Sequence, residues 1–126
     1  MYLFIDNSSP GLISFFCYLN TKWVQVDFVS LTAGDLLINL DKLLKKMGQN
    51  KVDLRGLEVR VGKGSFTSTR VAVTLVNTLA WSLGIPVVAI AEDGPTDLEV
   101  LIKNTPVGQY VSAKYSGQVK IGQPKR

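Results

Sequence analysis

The amino-acid sequence predicts an α/β fold in which a mixed five-stranded sheet carries two helices, and three observations lead to this prediction. Short apolar runs bounded by turn residues fill the first thirty positions, which is typical of an antiparallel meander. Two helix-length segments follow, each succeeded by a further short apolar run. This alternation favours crossover connections on one sheet. A length of 126 residues with 46% hydrophobic residues suits one globular domain.

The predicted meander consists of the strands Tyr2–Ile5, Leu12–Leu19 and Trp23–Val29. Turn-forming residues at positions 6–11 separate the first two strands, and Asn20-Thr21-Lys22 forms a tight turn before the third. Polar and apolar residues alternate along the third run, which predicts a half-exposed strand.

The first predicted helix spans Gly34–Met47, with Thr32 as its cap and Asp35 against the positive helix start. Its apolar residues recur on one stripe, as expected of a helix that packs on a sheet. They are Leu36, Leu40, Leu43, Leu44 and Met47, with Leu37 and Ile38 widening the stripe. Gly48 ends the helix.

The fourth and fifth strands are predicted at Leu57–Val61 and Val87–Ala91, joined by a glycine-bracketed loop and a second helix. The loop runs from Gly62 to Arg70, and Thr67 or Ser65 is expected to cap the helix. That helix carries no charge from Val71 until it stops at Leu83-Gly84. The side chains of this helix that are expected to face solvent are only Thr74, Asn77, Thr78 and Trp81.

An uncharged helix of this kind needs cover on more than one side, because a surface helix normally presents a charged face to water. Two covers are consistent with the sequence: a carboxy-terminal segment of the same chain, or a partner protein. We favour the partner. The remaining residues, 92–126, are predicted to add a short helix, Asp97–Lys103, and a hairpin, Val107–Ala113 with Gln118–Ile121. They are expected to belong to the same domain as residues 1–91.

Composition excludes several classes of site. The chain has no histidine and one cysteine, so a Ser-His-Asp triad, a zinc helix and a disulfide within the chain are all absent. Cys17, inside an apolar run, is expected to be a buried hydrophobic residue. No apolar run reaches the ~20 residues of a membrane span. An acid at position 6 and no basic leader argue against a secretory signal, so a cytoplasmic protein is expected.

The order of the predicted elements is that of the ribonuclease H-like fold, which is shared by polynucleotidyl transferases and actin-like ATPases. Asp6 then lies at the end of the central strand. Its carboxylate either binds a metal or caps the following turn through Asn7 and Ser8, and we favour the cap. Arg70, in the first turn of the second helix, opposes the helix dipole. That placement suggests a contact with an internal carboxylate such as Asp6, or with an anionic ligand.

Residues 1 to about 91 also resemble a known protein family. The loop Gly62-Lys63-Gly64-Ser65-Phe66-Thr67-Ser68-Thr69-Arg70 and the later Leu83-Gly84-Ile85-Pro86-Val87-Val88 resemble the G-P-G-S-F-T-G-x-R and L-G-I-P-v-v motifs of the TsaB (YeaZ) family. The opening Leu3-Phe4-Ile5-Asp6-Asn7-Ser8 resembles that family's L-x-L-D-T-S. Lys63, Ser68 and Asn7 depart from the pattern, and the family usually runs to roughly twice this length, with a second actin-like lobe.

The resemblance implies a non-catalytic subunit for threonylcarbamoyladenosine synthesis in tRNA, docked by its two helices onto the catalytic paralogue TsaD. It also implies TsaE within the complex, contact with tRNA through the complex, and use of ATP and Mg²⁺ by the complex instead of by this chain. The expected partner-binding residues are Leu37, Leu40, Leu44, Val71, Leu75, Thr78, Leu79 and Ser82. The expected nucleotide or anion contacts are Asp6, Ser8, Ser9 and Arg70. No metal site and no catalytic residue are expected.

Two alternative functions remain open at this level. The first is a metal-dependent ribonuclease H-like nuclease, in which Asp6 with Glu58, Glu92 or Asp93 would hold two Mg²⁺ ions. The position of Glu58 near the beginning of its strand, not the end, is the argument against it. The second is a homodimeric helper that uses the same apolar helix face for self-association.

Overall fold

The computed structural model describes residues 1–32, 34–62, 66–91 and 104–112. The strands are β1 (Tyr2–Asp6), β2 (Leu12–Leu19), β3 (Lys22–Val29), β4 (Gly56–Arg60) and β5 (Val87–Ile90). The helices are α1 (Asp35–Lys46) and α2 (Phe66–Leu83), and a short 3₁₀ turn occupies Lys51–Asp53. The predicted succession of strands and helices is confirmed. The strand bounds agree to within one residue.

The five strands form one mixed sheet in the order β3-β2-β1-β4-β5. β1 pairs antiparallel with β2 and parallel with β4, and β4 pairs parallel with β5. The antiparallel half of the sheet (β1–β3) and its parallel half (β1, β4 and β5) therefore meet at β1, the central strand. The carboxyl ends of β1, β4 and β5 lie at one edge of the sheet, because these strands run in the same direction.

One face of the sheet packs against both helices and contains the hydrophobic core. Side chains alternate between faces along each strand, and the odd-numbered residues of β1, β2 and β4 lie on the helix side. The strand residues buried completely there are Leu3, Ile5, Ile13, Phe15, Cys17, Leu57 and Val59. From the helices, Leu36, Leu40, Leu43, Leu44, Ala72, Val76 and Ala80 complete the same cluster. Both helices are thus held by a shared core.

The ends of α1 show one correction to the predicted capping. Thr32 does not cap the helix with its side chain. Instead, the carboxylate of Asp35 accepts hydrogen bonds from the backbone N–H groups of Leu31 at 2.7 Å and of Thr32 at 3.0 Å. These hydrogen bonds lower the pKa of Asp35 because they stabilise its ionised form. At the other end Gly48 takes a left-handed φ of 68°, which confirms the predicted stop.

The second helix begins earlier than its uncharged stretch suggests. It starts at Phe66, so Thr67 lies inside the first turn and is not the cap; Ser65 lies outside the described residues. Gly62 has a φ of 77°, as expected for a tight strand-to-helix turn. Gly84 ends the helix with a φ of 66°.

The predicted strand at Val107–Ala113 is wrong over the residues that are described. Residues 107–112 form turns and irregular structure. Gly108 adopts a left-handed φ of 97°, and the backbone of Val111 hydrogen-bonds to the side chain of Asn77 on α2 instead of to a neighbouring strand. The predicted helix Asp97–Lys103 and the strand Gln118–Ile121 lie outside the described residues.

The turn between β2 and β3 contains a strained threonine. Asn20 and Thr21 have φ angles of 54° and 64°, the arrangement of a two-residue hairpin turn. A β-branched residue is unfavourable in this region, at about 1–2 kcal/mol. We therefore expect Thr21→Gly to raise the free energy of unfolding by about 0.5–1 kcal/mol, after allowance for the greater freedom of glycine in the unfolded chain. Urea denaturation would measure the change.

A matched control is Gly84→Ala, which places a side chain in the same left-handed region. A Cβ at Gly84 would meet no heavy atom within 4 Å, so the substitution changes backbone strain without adding a clash. It should lower the free energy of unfolding by about 1 kcal/mol. Equal stability of Thr21→Gly and the wild type would show that the turn stores no such strain.

Candidate functional site: a groove between the two helices

An apolar depression lies between α1 and α2 on the side of the helices away from the sheet. It has a volume of about 460 Å³ and is here called the interhelix groove. Its lining residues are Gly34, Leu36, Leu37, Arg70, Val71, Thr74, Leu75 and Thr78. Leu37 is 49% exposed, whereas Val71 and Leu75 are half-buried. Arg70 is the one charged residue in this set of described lining residues.

The residues predicted to bind a partner divide into two groups in the structure. Four of them line the interhelix groove: Leu37, Val71, Leu75 and Thr78. Ser82 is exposed one turn beyond Thr78. By contrast, Leu40, Leu44 and Leu79 are 0%, 3% and 7% exposed and belong to the core. Their apolar character therefore serves the chain's own packing, and the accessible surface is narrower than the periodicity suggests.

Of the four residues predicted to contact an anion, Asp6 and Ser8 lie together at the end of β1, and Arg70 lines the interhelix groove. Asp6 lies at the end of β1, where its carboxylate accepts a hydrogen bond from the backbone N–H of Ser8 at 3.0 Å and another from the Ser8 hydroxyl. Its second oxygen lies 3.4 Å from Nε of Arg60. The Asp6 carboxylate thus closes the following turn and pairs with Arg60, while Arg70 lines the interhelix groove.

A second, polar depression of about 210 Å³ lies beside the carboxyl end of β1 and the start of α2. Among the predicted anion contacts, only Ser9 lines it. Other polar lining residues are Asn7, Ser30, Thr32, Thr67 and Ser68. Asn7 ties the two elements together, since its side-chain N–H donates to the carbonyl oxygen of Ser68 at 3.1 Å. Asn7 and Ser68 both differ from the family motifs that the sequence resembles, and in the structure they contact each other.

A metal site is not formed by the described residues. No group of three His, Cys, Asp or Glu side chains among them could hold a metal ion, and Asp6 is engaged as described above. Glu92 and Asp93 lie outside the described residues. Cys17 is buried, and burial raises the pKa of its thiol to about 11, so the thiolate that a nucleophile requires is disfavoured.

Glu58 is a buried carboxylate on the sheet face opposite the helices. It lies in the middle of β4, opposite Phe4 of β1 and Val88 of β5, and is 0% exposed. Neither of its oxygens has a hydrogen-bond partner among the described residues. Burial raises the pKa of Glu58 to about 7, while the charge of Arg60 acts in the opposite direction. Sequence periodicity gave no indication of this burial, because a strand alternation marks Glu58 as solvent-facing.

Residues 104–112 pack along the other flank of α2. The side-chain amide of Asn77 donates to the carbonyl oxygen of Val111 and accepts from its N–H, both at 3.0 Å. Beside this contact is a shallow, open, mainly apolar depression of about 410 Å³, here called the side pocket, lined by Asn77, Thr78, Trp81 and Tyr110. Residues 104–112 thus cover one flank of α2, and none of the other described residues fills the interhelix groove.

Comparison with known proteins shows the family of the chain. Residues 33–119 match the family model described as TsaD, tRNA N6-adenosine threonylcarbamoyltransferase. A stretch of 52 residues is 46% identical to the tRNA threonylcarbamoyladenosine biosynthesis protein TsaB of Bacillus subtilis (strain 168). The chain belongs to this TsaD/TsaB family, as a TsaB (YeaZ) member. Its sheet and helices accordingly form a single ribonuclease H-like, actin-like lobe.

Solved structures lead to the same assignment. YeaZ from Pseudomonas aeruginosa is 27% identical, with a TM-score of 0.64 over 72% of this chain. A second structure, of a protein from P. aeruginosa described as having similarity to peptidase YeaZ, gives the same identity and TM-score. The TsaB-like chain spans only part of these relatives: the matches cover 20% of the Bacillus protein and 42% and 43% of the two Pseudomonas chains. Over the described ranges, no helix has both the length and the apolar character needed to cross a membrane.

The buried Glu58 predicts an unusual dependence of stability on pH. Since the pKa of the folded state lies above the ordinary value, the contribution of Glu58 is fully present below about pH 4 and is lost as the pH rises through 7. The expected loss is of order 3 kcal/mol. In Glu58→Gln this slope should disappear, which urea denaturation at a series of pH values would measure.

Asp35→Asn is the matched control, because the pKa shift of Asp35 has the opposite sign. The stabilising contribution of Asp35 is present above its ordinary pKa and is lost as the pH falls through the lowered value. Asp35→Asn should therefore remove the part of the slope that lies in the acid range and leave the slope between pH 5 and 8 unchanged. Parallel curves for Glu58→Gln and the wild type between pH 5 and 8 would contradict the assignment to Glu58.

Proposed function

We propose that this chain is a non-catalytic subunit in the synthesis of threonylcarbamoyladenosine in tRNA, and that it docks onto the catalytic subunit TsaD through the interhelix groove. The observation that carries the proposal is the groove itself. Family membership supports the pathway, since the Bacillus relative is named for threonylcarbamoyladenosine biosynthesis. The match to a TsaD family model supports a partner of the same fold.

The shape and chemistry of the groove suit a helix of the partner. Its floor contains the half-buried Val71 and Leu75, and its rim on α1 is the exposed Leu37. Thr74 and Thr78 are exposed one turn apart on α2. Their short side chains would let a second helix approach to the 8–10 Å separation at which helices pack. Docking would remove this apolar surface from water.

Arg70 lies beside the groove as the fifth residue of α2 and is exposed. The aliphatic residues of the groove, Leu37, Val71 and Leu75, determine the chemistry of the surface that fits it. We therefore propose a partner helix with an aliphatic stripe.

The remaining assignments follow from this role. ATP, Mg²⁺ and TsaE are assigned to the assembled complex, and tRNA is contacted through it, in the cytoplasm. The engaged Asp6 and the buried Cys17 support a subunit without its own catalytic group. No described carboxylate cluster favours the nuclease alternative.

Substitutions in the groove should abolish the complex without unfolding the chain. Leu37→Asp and Leu75→Asp place a charge on the docking surface at exposed or half-exposed positions. We expect the affinity for the cognate TsaD to fall at least about thirtyfold, or about 2 kcal/mol, because an unpaired charge would be buried on docking. Isothermal titration calorimetry would measure this loss. Leu79→Asp is unsuitable, since Leu79 is buried in the core.

Val52→Asp serves as the control for an added surface charge. Val52 is 78% exposed on the 3₁₀ turn, away from the groove, and this variant should bind as the wild type does. Two results together would refute the proposed function. The wild-type chain would form no complex with TsaD, and tRNA from a strain that lacks this gene would still be fully modified. If Leu75→Asp dissociates a homodimer of this chain and leaves the binding of TsaD unchanged, the groove serves self-association instead.

A further inference from the structure

The side pocket lies beside a specific contact between α2 and residues 104–112. Asn77 forms two hydrogen bonds of 3.0 Å with the two backbone polar groups of Val111. One side chain thereby replaces the pairing that a neighbouring strand would supply. Val111 itself packs against the hydrophobic core. This pair of contacts, here called the Asn77 clasp, places Tyr110 beside α2.

Two aromatic side chains remain accessible beside the clasp. Trp81 is 73% exposed and Tyr110 is 49% exposed, and both line the side pocket. Trp and Tyr are the residues most enriched at the energetic centres of protein interfaces. Their apolar area stays in contact with water in the isolated chain, and a partner side chain placed between them would remove it.

The side pocket is continuous with the proposed docking surface. Thr78 lines both the interhelix groove and the side pocket, so the two depressions flank one short polar ridge on α2. The helical distance from Arg70 to Trp81 is about 16 Å. A partner helix of about three turns that lies along this ridge would therefore reach both depressions.

We propose, as an extension of the proposed function on which it rests, that the side pocket is a second anchoring point for TsaD. The Asn77 clasp holds Tyr110 in position, and Trp81 and Tyr110 receive an apolar side chain of the partner. The docking surface consequently extends across α2 from Leu37 to Tyr110. Residues 104–112 contribute to the interface directly and do not merely cover the helix.

The first test measures the affinity for the cognate TsaD after truncation of each aromatic residue in the full chain. Trp81→Ala should weaken binding at least tenfold, and Tyr110→Ala severalfold. Val107→Ala is the matched control, because Val107 is 57% exposed in the same segment and does not line the side pocket. Its affinity should equal that of the wild type. Thermal unfolding of each variant shows whether the fold is retained.

A double-mutant cycle tests the clasp. If Asn77 acts by positioning Tyr110, Asn77→Ala should weaken binding to the same extent as Tyr110→Ala. The double variant should then be no weaker than Asn77→Ala alone. Fully additive losses would show that Asn77 and Tyr110 act independently, and would overturn the positioning role of Asn77.

The outcomes separate this inference from the proposed function. If Leu75→Asp abolishes the complex while Trp81→Ala and Tyr110→Ala bind within twofold of the wild type, the side pocket is no part of the interface and only the inference fails. If no complex forms at all, the proposed function fails. If Trp81→Ala dissociates a homodimer without weakening TsaD binding, the pocket serves self-association and the inference is overturned.

Discussion

The shared hydrophobic core of the two helices and one sheet face is the constraint on which the rest of the structure depends. α1 and α2 pack side by side on the same face, and the core takes in Leu40 and Leu44 from α1 and Leu79 from α2. The interhelix groove is lined by Leu36 of this core and by three apolar residues that the core leaves partly accessible, Leu37, Val71 and Leu75. The extent of the candidate docking surface is therefore set by how much of each helix the sheet covers.

The central strand links this core to the polar edge of the sheet. β1 pairs with β2 on one side and β4 on the other, and its end supplies Asp6 and Asn7. Asp6 closes the next turn and pairs with Arg60 of β4, while Asn7 bonds to the backbone of α2. The hydrogen bond from Asn7 to Ser68 joins the start of α2 to the central strand of the sheet.

The predictions made from local pattern agree closely with the structure. Apolar runs separated by turn residues located all five strands, and the glycines at positions 48 and 84 located the ends of the helices. These features depend on neighbouring residues along the chain. The start of α2 was less predictable, because the first turn contains Thr67 and Ser68, which resemble loop residues. The strand expected at Val107–Ala113 was wrong for residues 107–112, because the backbone of Val111 bonds to a side chain that lies far away in the sequence.

The sequence by itself determined the fold class, the order of the elements and the presence of an uncharged helix that needs cover. Only the tertiary structure decided which side chains of that helix are accessible. Leu75 and Leu79 are equally apolar and lie one turn apart, yet one lines the groove and the other lies in the core. The difference arises from the position of α1 and the sheet around α2, and helical periodicity contains no information about either neighbour. The same reason applies to the side pocket, where Tyr110 lies with Trp81 of α2 and Asn77 bonds to the backbone of the adjacent Val111.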